Sequence, residues 1–330
     1  MHANTIDTGP IEIRIKGKNT LVPSIRIEGR TIVHTGKWLK TAAVRDEGIV
    51  QGETVPDPEL FIAQLKQWDE KPDIFTFPQK FTDPAPKYSY HMLWDNFAAI
   101  RITTYQDWLK NQVKKDVKEN LRRAAREGVT VRTSPYDDKL VQGIKDLCDE
   151  TPIRQGMRFW HHGKSFEAIK EVHGTYRERA EYIVAYFQEE LIGFIKMVYV
   201  DNYAKTMHVI SKEKYFHKRP TNALIAKAVE VCEQKGLNYF IYGEARYLGK
   251  KTSSLADFKR RNGFEEIQYP RYFVPLTVKG KLAIKFGLQL GLMSVLPKSV
   301  IQILLKLRSK RYANSRPSEK APKKEADLPN

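Results

Sequence analysis

The chain has 330 residues, a mass of 38.2 kDa and a formal net charge of +17. Hydrophobic residues make up 41% of it and charged residues 29%, which is typical of globular proteins that bury a core. This length suggests two domains and excludes a disulfide-stapled miniprotein. Cys148 and Cys232 are the two cysteines, and their wide separation argues against a zinc ribbon and for a reducing compartment. The first ten residues lack the pattern of a signal peptide, so we expect a cytoplasmic protein.

The excess positive charge is concentrated in two stretches. Residues 276–330 contain twelve basic residues against three acidic ones, and therefore carry a net charge of +9. Residues 110–126 contain seven basic residues against two acidic ones. Such stretches attract nucleic acid, anionic lipid or phosphorylated substrates. The alternative interpretation is a solvated helix face and a disordered tail.

The pattern of residues 1–103 predicts strands and turns with one helix. Alternation of apolar and polar residues predicts a strand over 11–16 and a hairpin over 24–36, which turns at Glu28 and Gly29. Pro58 precedes an apolar pattern that fits a helix over 59–68. The segments DIFTFPQ and NFAAIRI are further predicted strands.

The next segment predicts one long basic helix over residues 104–127. Thr104 is a candidate N-cap and Gly128 a candidate end. Apolar residues recur every fourth position and predict one buried stripe, made of Leu109, Val113, Val117, Leu121 and Ala125.

Residues 129–277 predict the order β-α-α-β-β-β-α-β-α-β. The first strand covers 129–134, and helices follow at about 138–150 and 165–180. A hairpin is predicted to turn at Glu189 and Glu190.

The C-terminal region departs from this order. Residues 286–297 are uncharged, but this run is too short to span a membrane. The interleaved apolar and basic residues of 278–311 predict an interfacial amphipathic helix, with a helix packed on the domain as the alternative. Residues 312–330 are predicted to be disordered.

This order of elements resembles the GNAT superfamily of acyltransferases, and the whole chain resembles its Fem-like branch. The resemblance is carried by QDWLKNQVKKDVKENLRRAAREGVTVR (106–132), which is similar to the join between two Fem halves, and by Phe258, Lys259 and Gly263 in LADFKRRNGFEE. It covers about residues 10–277. It implies an α/β fold with a mixed sheet and two tandem GNAT-like domains, the second more complete, followed by the basic amphipathic tail.

The resemblance also implies a division of the chain. Residues 1–103 form an N-terminal partial GNAT-like domain and 104–128 a connecting basic helix. Residues 129–277 form the C-terminal GNAT-like acyltransferase domain, before the segments 278–311 and 312–330.

In GNAT folds, two splayed strands admit the donor, and the N-terminus of the following helix binds its pyrophosphate. Here the resemblance assigns donor binding to residues on one strand and the loop after it, namely Val209, Ile210, Lys218, Arg219, Thr221 and Asn222. The loop departs from the usual CoA motif, because it lacks the glycines that let the backbone approach a phosphate closely. Fem-like enzymes, which take aminoacyl groups from tRNA, also tend to lack them.

The candidate catalytic residues lie near the second half of this domain. Glu244 follows a predicted strand and is a candidate general base, with an ion pair to Arg246 as the alternative. Lys259 occupies the position where many GNAT enzymes carry a tyrosine as general acid. Tyr242 is a candidate for orienting the substrate. His208 is a further candidate, with a packed core histidine as the alternative.

A polar and aromatic cluster supplies the candidate acceptor residues. Arg154, Arg158 and Trp160 lie in the loop that covers the acceptor site in GNAT folds, and Tyr247 lies near Glu244. His161 and His162 are not expected to bind a metal, because adjacent residues rarely converge on one ion and no third ligand lies near in the sequence. We therefore expect no metal.

These features predict an N-acyltransferase that moves an acyl group from acyl-CoA to an amine, such as an amino sugar or a cell-envelope precursor. One alternative is a Fem-like transferase that uses aminoacyl-tRNA. Another is a catalytically inactive GNAT-like module that binds RNA or anionic membrane. The basic segments would give peripheral contact with the inner membrane face. The oligomeric state is left open.

Overall fold

The computed structural model describes residues 8–15, 18–154, 157–246 and 253–291. Its strands are β1 Thr8–Ile15, β2 Lys18–Ile27, β3 Arg30–Thr35, β4 Thr41–Val44, β5 Ile74–Pro78, β6 His91–Arg101, β7 Thr130–Ser134, β8 Ile153–Arg154, β9 Met157–Arg158, β10 Ala180–Phe187, β11 Glu190–Val200, β12 Tyr203–Ser211, β13 Tyr239–Ile241 and β14 Glu265–Pro275. Its α-helices are α1 Pro58–Gln67, α2 Tyr105–Asp107, α3 Lys115–Arg126, α4 Asp138–Cys148, α5 Phe166–His173, α6 Pro220–Gln234, α7 Ser254–Arg261 and α8 Val278–Lys285.

The N-terminal half begins with an antiparallel meander of β1 to β4. The predicted hairpin is confirmed, because Glu28 and Gly29 both have positive φ (46° and 73°) and join β2 to β3. Such turns match the twist of the strands they connect.

The predicted helix after Pro58 is also confirmed as α1. The Asp57 side chain caps it by accepting hydrogen bonds from the backbone N–H groups of Glu59 and Leu60, at 3.1 and 3.2 Å. Phe61 and Leu65 on α1 are fully buried in one cluster with Phe75 of β5. A capped N-terminus and one apolar face therefore hold α1 on the sheet.

The long helix predicted over 104–127 is wrong, because the chain is broken at Val113 and Lys114. A short turn, α2, runs into a turn of π-helix, Trp108–Gln112, and α3 starts afresh at Lys115. Val113 and Lys114 have extended backbone, with ψ of 151° and 159°. Thr104 does cap α2, and Gly128 does follow the end of α3 with a φ of 78°.

Contacts with the end of α7 account for this break. The Lys114 backbone N–H donates to the carbonyl oxygen of Arg261 at 2.9 Å, and the Trp108 indole Nε1 donates to that of Asn262 at 3.0 Å. The first bond uses a backbone N–H group that a continuous helix would keep within itself, and the second anchors the Trp108 side chain to the same end of α7.

The buried stripe on α3 differs from the predicted one. Val117 and Ala124 are buried, Leu121 is partly buried and Ala125 is exposed. A repeat of four residues drifts away from a helix of 3.6 residues per turn, so that the seventh residue after Val117 faces the core instead of the eighth.

The element order predicted for 129–277 is confirmed, with three local differences. A small hairpin of β8 and β9 is inserted after α4. Helix α5 ends at His173 and not near residue 180. The turn between β10 and β11 lies at Gln188 and Glu189, both with positive φ, one residue before the predicted position.

All strands except β8 and β9 form one sheet among the described residues, in the order β1-β2-β3-β4-β5-β14-β6-β13-β12-β11-β10-β7. The last strand of the chain, β14, lies between β5 and β6, and β6 lies between β14 and β13. Each half thus inserts a strand into the other, an arrangement that we call the strand exchange. The described residues up to Lys281 form one compact unit, and the boundaries at 103 and 129 stay a prediction.

The C-terminal half of the sheet is covered on both faces. Neighbouring residues of β10 point to opposite sides, because Ile183 joins the cluster under α6 and α3, whereas Val184 joins the cluster under α4 and α5. Helix α6 packs on β10 to β13, and α4 packs on β11.

The described chain ends with α8 and a short turn of 3-10 helix, Leu288–Leu290. Most of the predicted amphipathic segment 278–311, and all of the predicted disordered tail 312–330, lie outside the described residues. None of the helices in the described ranges is long and apolar enough to cross a membrane.

Candidate active site

The sheet opens between β12 and β13. These parallel strands pair only where residues 203–205 meet residues 239–241. Beyond this point β12 continues to Ser211, while the chain after β13 bonds to β6 through Tyr242 N–H and Ala98 O at 2.8 Å. On the side that faces β13, no described strand pairs with residues 207–211. We call this opening the β12–β13 gap, and it corresponds to the splay that the resemblance implied.

A cleft of about 400 Å³ lies at the junction of the two halves. Strands β6, β12 and β14 and the loops after β4, β5 and β13 supply its walls. Its charged lining residues are Glu47, Lys80, Asp95, Lys205, Glu244 and Arg271. The sequence analysis identified only Glu244 among them. The others are charged residues in apolar strands or loops, and the strand exchange brings them together.

Arg271 forms ion pairs with two carboxylates of this cleft. Its Nε lies 2.8 Å from Asp95, and its Nη2 also pairs with Glu47. Burial lowers the pKa of Arg271, but the two carboxylates outweigh burial and raise it above the ordinary value. The guanidinium is therefore permanently charged, and it holds two carboxylates in place.

Lys205 places an amine in the same cleft. Its Nζ lies 4.3 Å from the centre of the Phe97 ring. Burial lowers the pKa of Lys205 to about 8, although Glu47 and Asp95 act in the opposite direction. Its ammonium form is costly there and would be stabilised by a bound anion.

Glu244 lies at the edge of the cleft, as a general base requires. Burial raises its pKa above the usual range, and the nearby Asp95 carboxylate raises it further. The alternative interpretation, an ion pair with Arg246, is not what the structure shows, because the Arg246 guanidinium pairs with Glu266.

Lys259 contacts both the backbone of Glu244 and the ring of Tyr242. The Lys259 side chain is 2% exposed, and its Nζ donates to the backbone carbonyl oxygen of Glu244 at 2.7 Å. The same Nζ lies 4.5 Å from the centre of the Tyr242 ring. Burial lowers the pKa of Lys259 to about 8. The structure thus brings three of the four candidate catalytic residues together.

His208, the fourth candidate, lies elsewhere. Its ring centre is 4.4 Å from that of His173 and 5.4 Å from that of His161. It does not line the cleft around Glu244. Packing against other histidines therefore describes its surroundings better than a place beside the general base.

The loop before α6 has few groups ready for a phosphate. Lys218 forms an ion pair with Glu127 at 3.0 Å, and its Nζ lies 4.0 Å from the centre of the Phe187 ring. Arg219 is exposed and has a φ of 60°, a left-handed conformation that usually favours glycine. Of this predicted pair, only Arg219 faces solvent.

The remaining predicted donor-binding residues have structural partners. The Thr221 hydroxyl lies 2.9 Å from that of Ser211, and the Asn222 Nδ2 donates to Asn262 Oδ1 at 2.9 Å. Val209 and Ile210 lie on β12 beside the gap and join clusters on opposite faces of the sheet. These contacts connect the start of α6 to the end of β12 and to α7.

Three of the predicted acceptor residues surround the β8–β9 hairpin. Arg154 donates to the Ser211 carbonyl oxygen at 2.6 Å and lies 3.5 Å from Glu150, which anchors the hairpin to β12. Arg158 is exposed, and Trp160, which is 37% exposed, packs on His161. Tyr247 lies outside the described residues.

The expectation that no third ligand lies near His161 is contradicted. The donor atoms of Cys148, His161 and His173 all lie within 4.8 Å of one another, and all three residues are buried. This cluster could not be predicted from the sequence, because its members are separated along the chain and meet only when α4 and α5 pack together. His162, in contrast, is exposed.

No family model matches the sequence, and no curated protein matches it. Solved structures do match. FemX is 10% identical with a TM-score of 0.55, over 85% of this chain and 90% of FemX. L-PGS from Bacillus licheniformis is 16% identical with a TM-score of 0.52, over 74% and 80% of the two chains.

A third match is the C-terminal DUF2156 domain of a candidate lysylphosphatidylglycerol synthetase from Agrobacterium fabrum. It is 14% identical with a TM-score of 0.51, over 78% of this chain and 84% of that domain. Identities this low establish the fold alone. With the element order of 129–277, the β12–β13 gap and the strand exchange, they show that the chain has the GNAT-like fold in its Fem-like form.

Proposed function

We propose that the protein is an N-acyltransferase that binds an activated acyl donor in the β12–β13 gap and transfers the acyl group to an amine in the adjoining cleft. The observation that carries this proposal is that Glu244, in the chain segment that leaves β13 beside the gap, lines the cleft. The Lys259 Nζ contacts the same residue through its backbone carbonyl oxygen. A raised carboxylic acid pKa and a lowered amine pKa suit proton transfer near neutral pH.

The reaction that fits these groups is direct transfer. The acceptor nitrogen attacks the carbonyl carbon of the donor, a C–N bond forms, and the C–S bond of a thioester or the C–O bond of an ester breaks. Glu244 takes the proton that the amine loses, and Lys259 supplies a proton to the leaving group. Backbone N–H groups near Val209 and Ile210 polarise the carbonyl in this proposal.

The proposed donor is acyl-CoA, with aminoacyl-tRNA as a second candidate that two observations favour. Lys218, the expected phosphate ligand, is already paired with Glu127, and the loop has no glycine even at Arg219, whose φ is 60°. Helix α3 also presents the exposed basic residues Lys115, Arg122 and Arg126. A tRNA would engage such a surface through its phosphates.

The proposed acceptor is an amine that also carries an anionic group, such as an amino sugar phosphate or a lipid-linked envelope precursor. Glu244 would receive the amine, and Lys205 has no acidic partner within ion-pair distance in the described residues. The combination of a carboxylate and an unpaired ammonium in one cleft supports a substrate with both charges.

Calorimetric titration with acetyl-CoA and with charged tRNA tests the proposal and separates the donors. We expect saturable binding of one of them, weakened about tenfold or more in Arg219→Glu. Lys66→Glu makes the same charge change on the exposed face of α1 and should leave binding unchanged. If neither donor binds, the chain is an inactive GNAT-like module and the proposal is wrong.

We also propose peripheral contact with anionic membranes through the basic C-terminal segment. Nine basic and three acidic residues fall in 286–330, beyond α8. Co-sedimentation with phosphatidylglycerol vesicles should be lost when 286–330 is deleted and kept when only 312–330 is deleted. Equal binding of the full chain and of both truncated chains would contradict this assignment.

A further inference from the structure

Cys148, His161 and His173 meet in the interior on one side of the sheet. Cys148 is the last residue of α4, His173 is the last residue of α5, and His161 lies in the loop after β9. Cys148 and His173 are 0% exposed, and His161 is 2% exposed. Their donor atoms lie within 4.8 Å of one another, although neighbouring members are 13 and 12 positions apart along the chain.

We propose that these three residues bind a zinc ion. One sulfur and two imidazole nitrogens form a set that suits Zn²⁺, a borderline-soft cation, and that does not suit Mg²⁺ or Ca²⁺, which prefer oxygen ligands. Zinc–ligand bonds of about 2.0–2.3 Å place tetrahedral ligand atoms roughly 3.5 Å apart. The three donors therefore need to close by about 1 Å, which is within reach of side-chain rotation.

His208 supplies the fourth ligand in this proposal. It reaches the cluster from β12, with its ring centre 4.4 Å from that of His173 and 5.4 Å from that of His161. A site with four protein ligands is closed, and closed zinc sites stabilise structure and do not activate water. The site is therefore assigned a structural role.

The ion would join elements on either side of the β8–β9 hairpin, which carries predicted acceptor residues. It would tie α4, α5 and the loop of His161 to β12, the strand that borders the β12–β13 gap. Trp160 is the neighbour of His161 and packs on its ring, with a distance of 3.5 Å between ring centres. Zinc would thus fix the loop that carries the candidate acceptor residues Arg158 and Trp160.

The two cysteines of the chain give a matched pair of variants. Cys148 and Cys232 are both free and buried, but Cys232 lies in α6 in a different cluster. The full chain, purified from zinc-containing medium, should contain about one zinc ion per molecule by mass spectrometry. After exchange for Co²⁺, a thiolate-to-cobalt charge-transfer band should appear. Cys148→Ser should lose this band, and Cys232→Ser should keep it.

Several results would overturn the proposal. The proposal is wrong if the folded wild-type chain takes up neither Zn²⁺ nor Co²⁺, or if the cobalt form shows no thiolate band. It is also wrong if the band persists in Cys148→Ser, and in particular if Cys232→Ser loses the band while Cys148→Ser retains it. Should Cys148→Ser not fold, the thermal melting of the wild-type chain decides, because it must fall when a chelator removes the metal and recover with added Zn²⁺. Melting that is unchanged by the chelator would refute a structural site.

Discussion

Glu244 combines two influences that make it a stronger base than an exposed glutamate. Burial and the Asp95 carboxylate both disfavour its charged form. The sequence predicted Glu244, Lys259 and Tyr242, because the first follows a strand and the second replaces a known acid. Asp95, Lys205 and Arg271 could not be predicted in the same way, since their strands come from distant parts of the chain and meet only in the folded sheet.

Glu244→Gln should lower kcat by about 10²- to 10⁴-fold, because the amide cannot accept a proton from the amine. The affinity for the donor should be unchanged, because the proposed donor site is formed by residues 207–211 of β12 and not by the Glu244 side chain. Steady-state transfer kinetics and donor titration check both statements. Glu265→Gln, an exposed change on β14, should have no effect. Equal activity of the two variants would exclude Glu244 as the base.

The lowered pKa of Lys259 predicts how the rate of acyl transfer depends on pH. With a pKa of about 8, Lys259 is mostly protonated, and able to donate, below this pH and progressively loses its proton above it. The rate of transfer should therefore fall as the pH rises above about 8. Lys259→Gln should be slow at all pH values and should lack this fall. A pH–rate profile of the variant that keeps the same alkaline limb would assign the limb to another group.

The lowered pKa of Lys196 predicts how the unfolding free energy depends on pH. Lys196 is fully buried on β11, and its Nζ donates to the Thr175 carbonyl oxygen and hydroxyl at 2.5 and 2.8 Å. Burial lowers its pKa from 10.5 to about 8. Between these pH values the lysine is charged only in the unfolded chain, which binds the extra proton, so its contribution to stability rises with pH.

Comparison with Lys196→Met isolates this effect. The wild-type chain should gain about 3 kcal/mol of unfolding free energy relative to Lys196→Met between pH 7 and pH 10.5. Urea denaturation at a series of pH values measures the difference, with the exposed Lys66→Met as the control. A difference between the wild-type chain and Lys196→Met that does not change with pH would contradict the low pKa.

At the level of elements, local signals predicted the helices and turns with clear caps. Asp57 and Pro58 mark the start of α1, and Glu28 and Gly29 mark a turn that needs positive φ. The break between α2 and α3 was not predictable, because it depends on hydrogen bonds to α7, about 150 residues further along the chain. The apolar residue at every fourth position predicted a continuous helix, but these tertiary hydrogen bonds determine the backbone conformation.

Helix α4 gives a stability prediction at this scale. The Asp137 side chain caps it by accepting a hydrogen bond from the Leu140 N–H at 2.8 Å. Asp137→Ala should lower the unfolding free energy by about 1 kcal/mol, whereas Asp137→Asn keeps an acceptor and should cost little. Urea denaturation of both variants tests the cap. Equal losses would show that charge, and not the hydrogen bond, stabilises the helix.

For the whole molecule, the strand exchange sets the cooperative unit. The sequence predicted two tandem halves, but it could not show that β14 pairs with β5 and β6 of the other half, because strand order depends on long-range pairing. Both neighbours of β14 come from before residue 102. The halves therefore complete each other's sheet.

A fragment that covers 129–277 should not fold alone, because β14 would lose both neighbours and β13 would lose β6. The full chain should unfold in a single transition, seen equally by near-ultraviolet circular dichroism and tryptophan fluorescence. A fragment that melts cooperatively with native-like near-ultraviolet signal would show that the second half is an independent domain.

The central claim is that the β12–β13 gap receives the acyl donor. Hydrogen exchange of the full chain, measured with and without saturating acetyl-CoA or aminoacyl-tRNA, tests it directly. A donor that binds in the gap must slow exchange of the backbone amides in 207–211, which have no strand partner on that side. Exchange in β1 to β3, remote from the gap in the sheet order, should not change. Protection of 207–211 by either donor is the predicted result. Donor binding that leaves this segment unprotected would contradict the account.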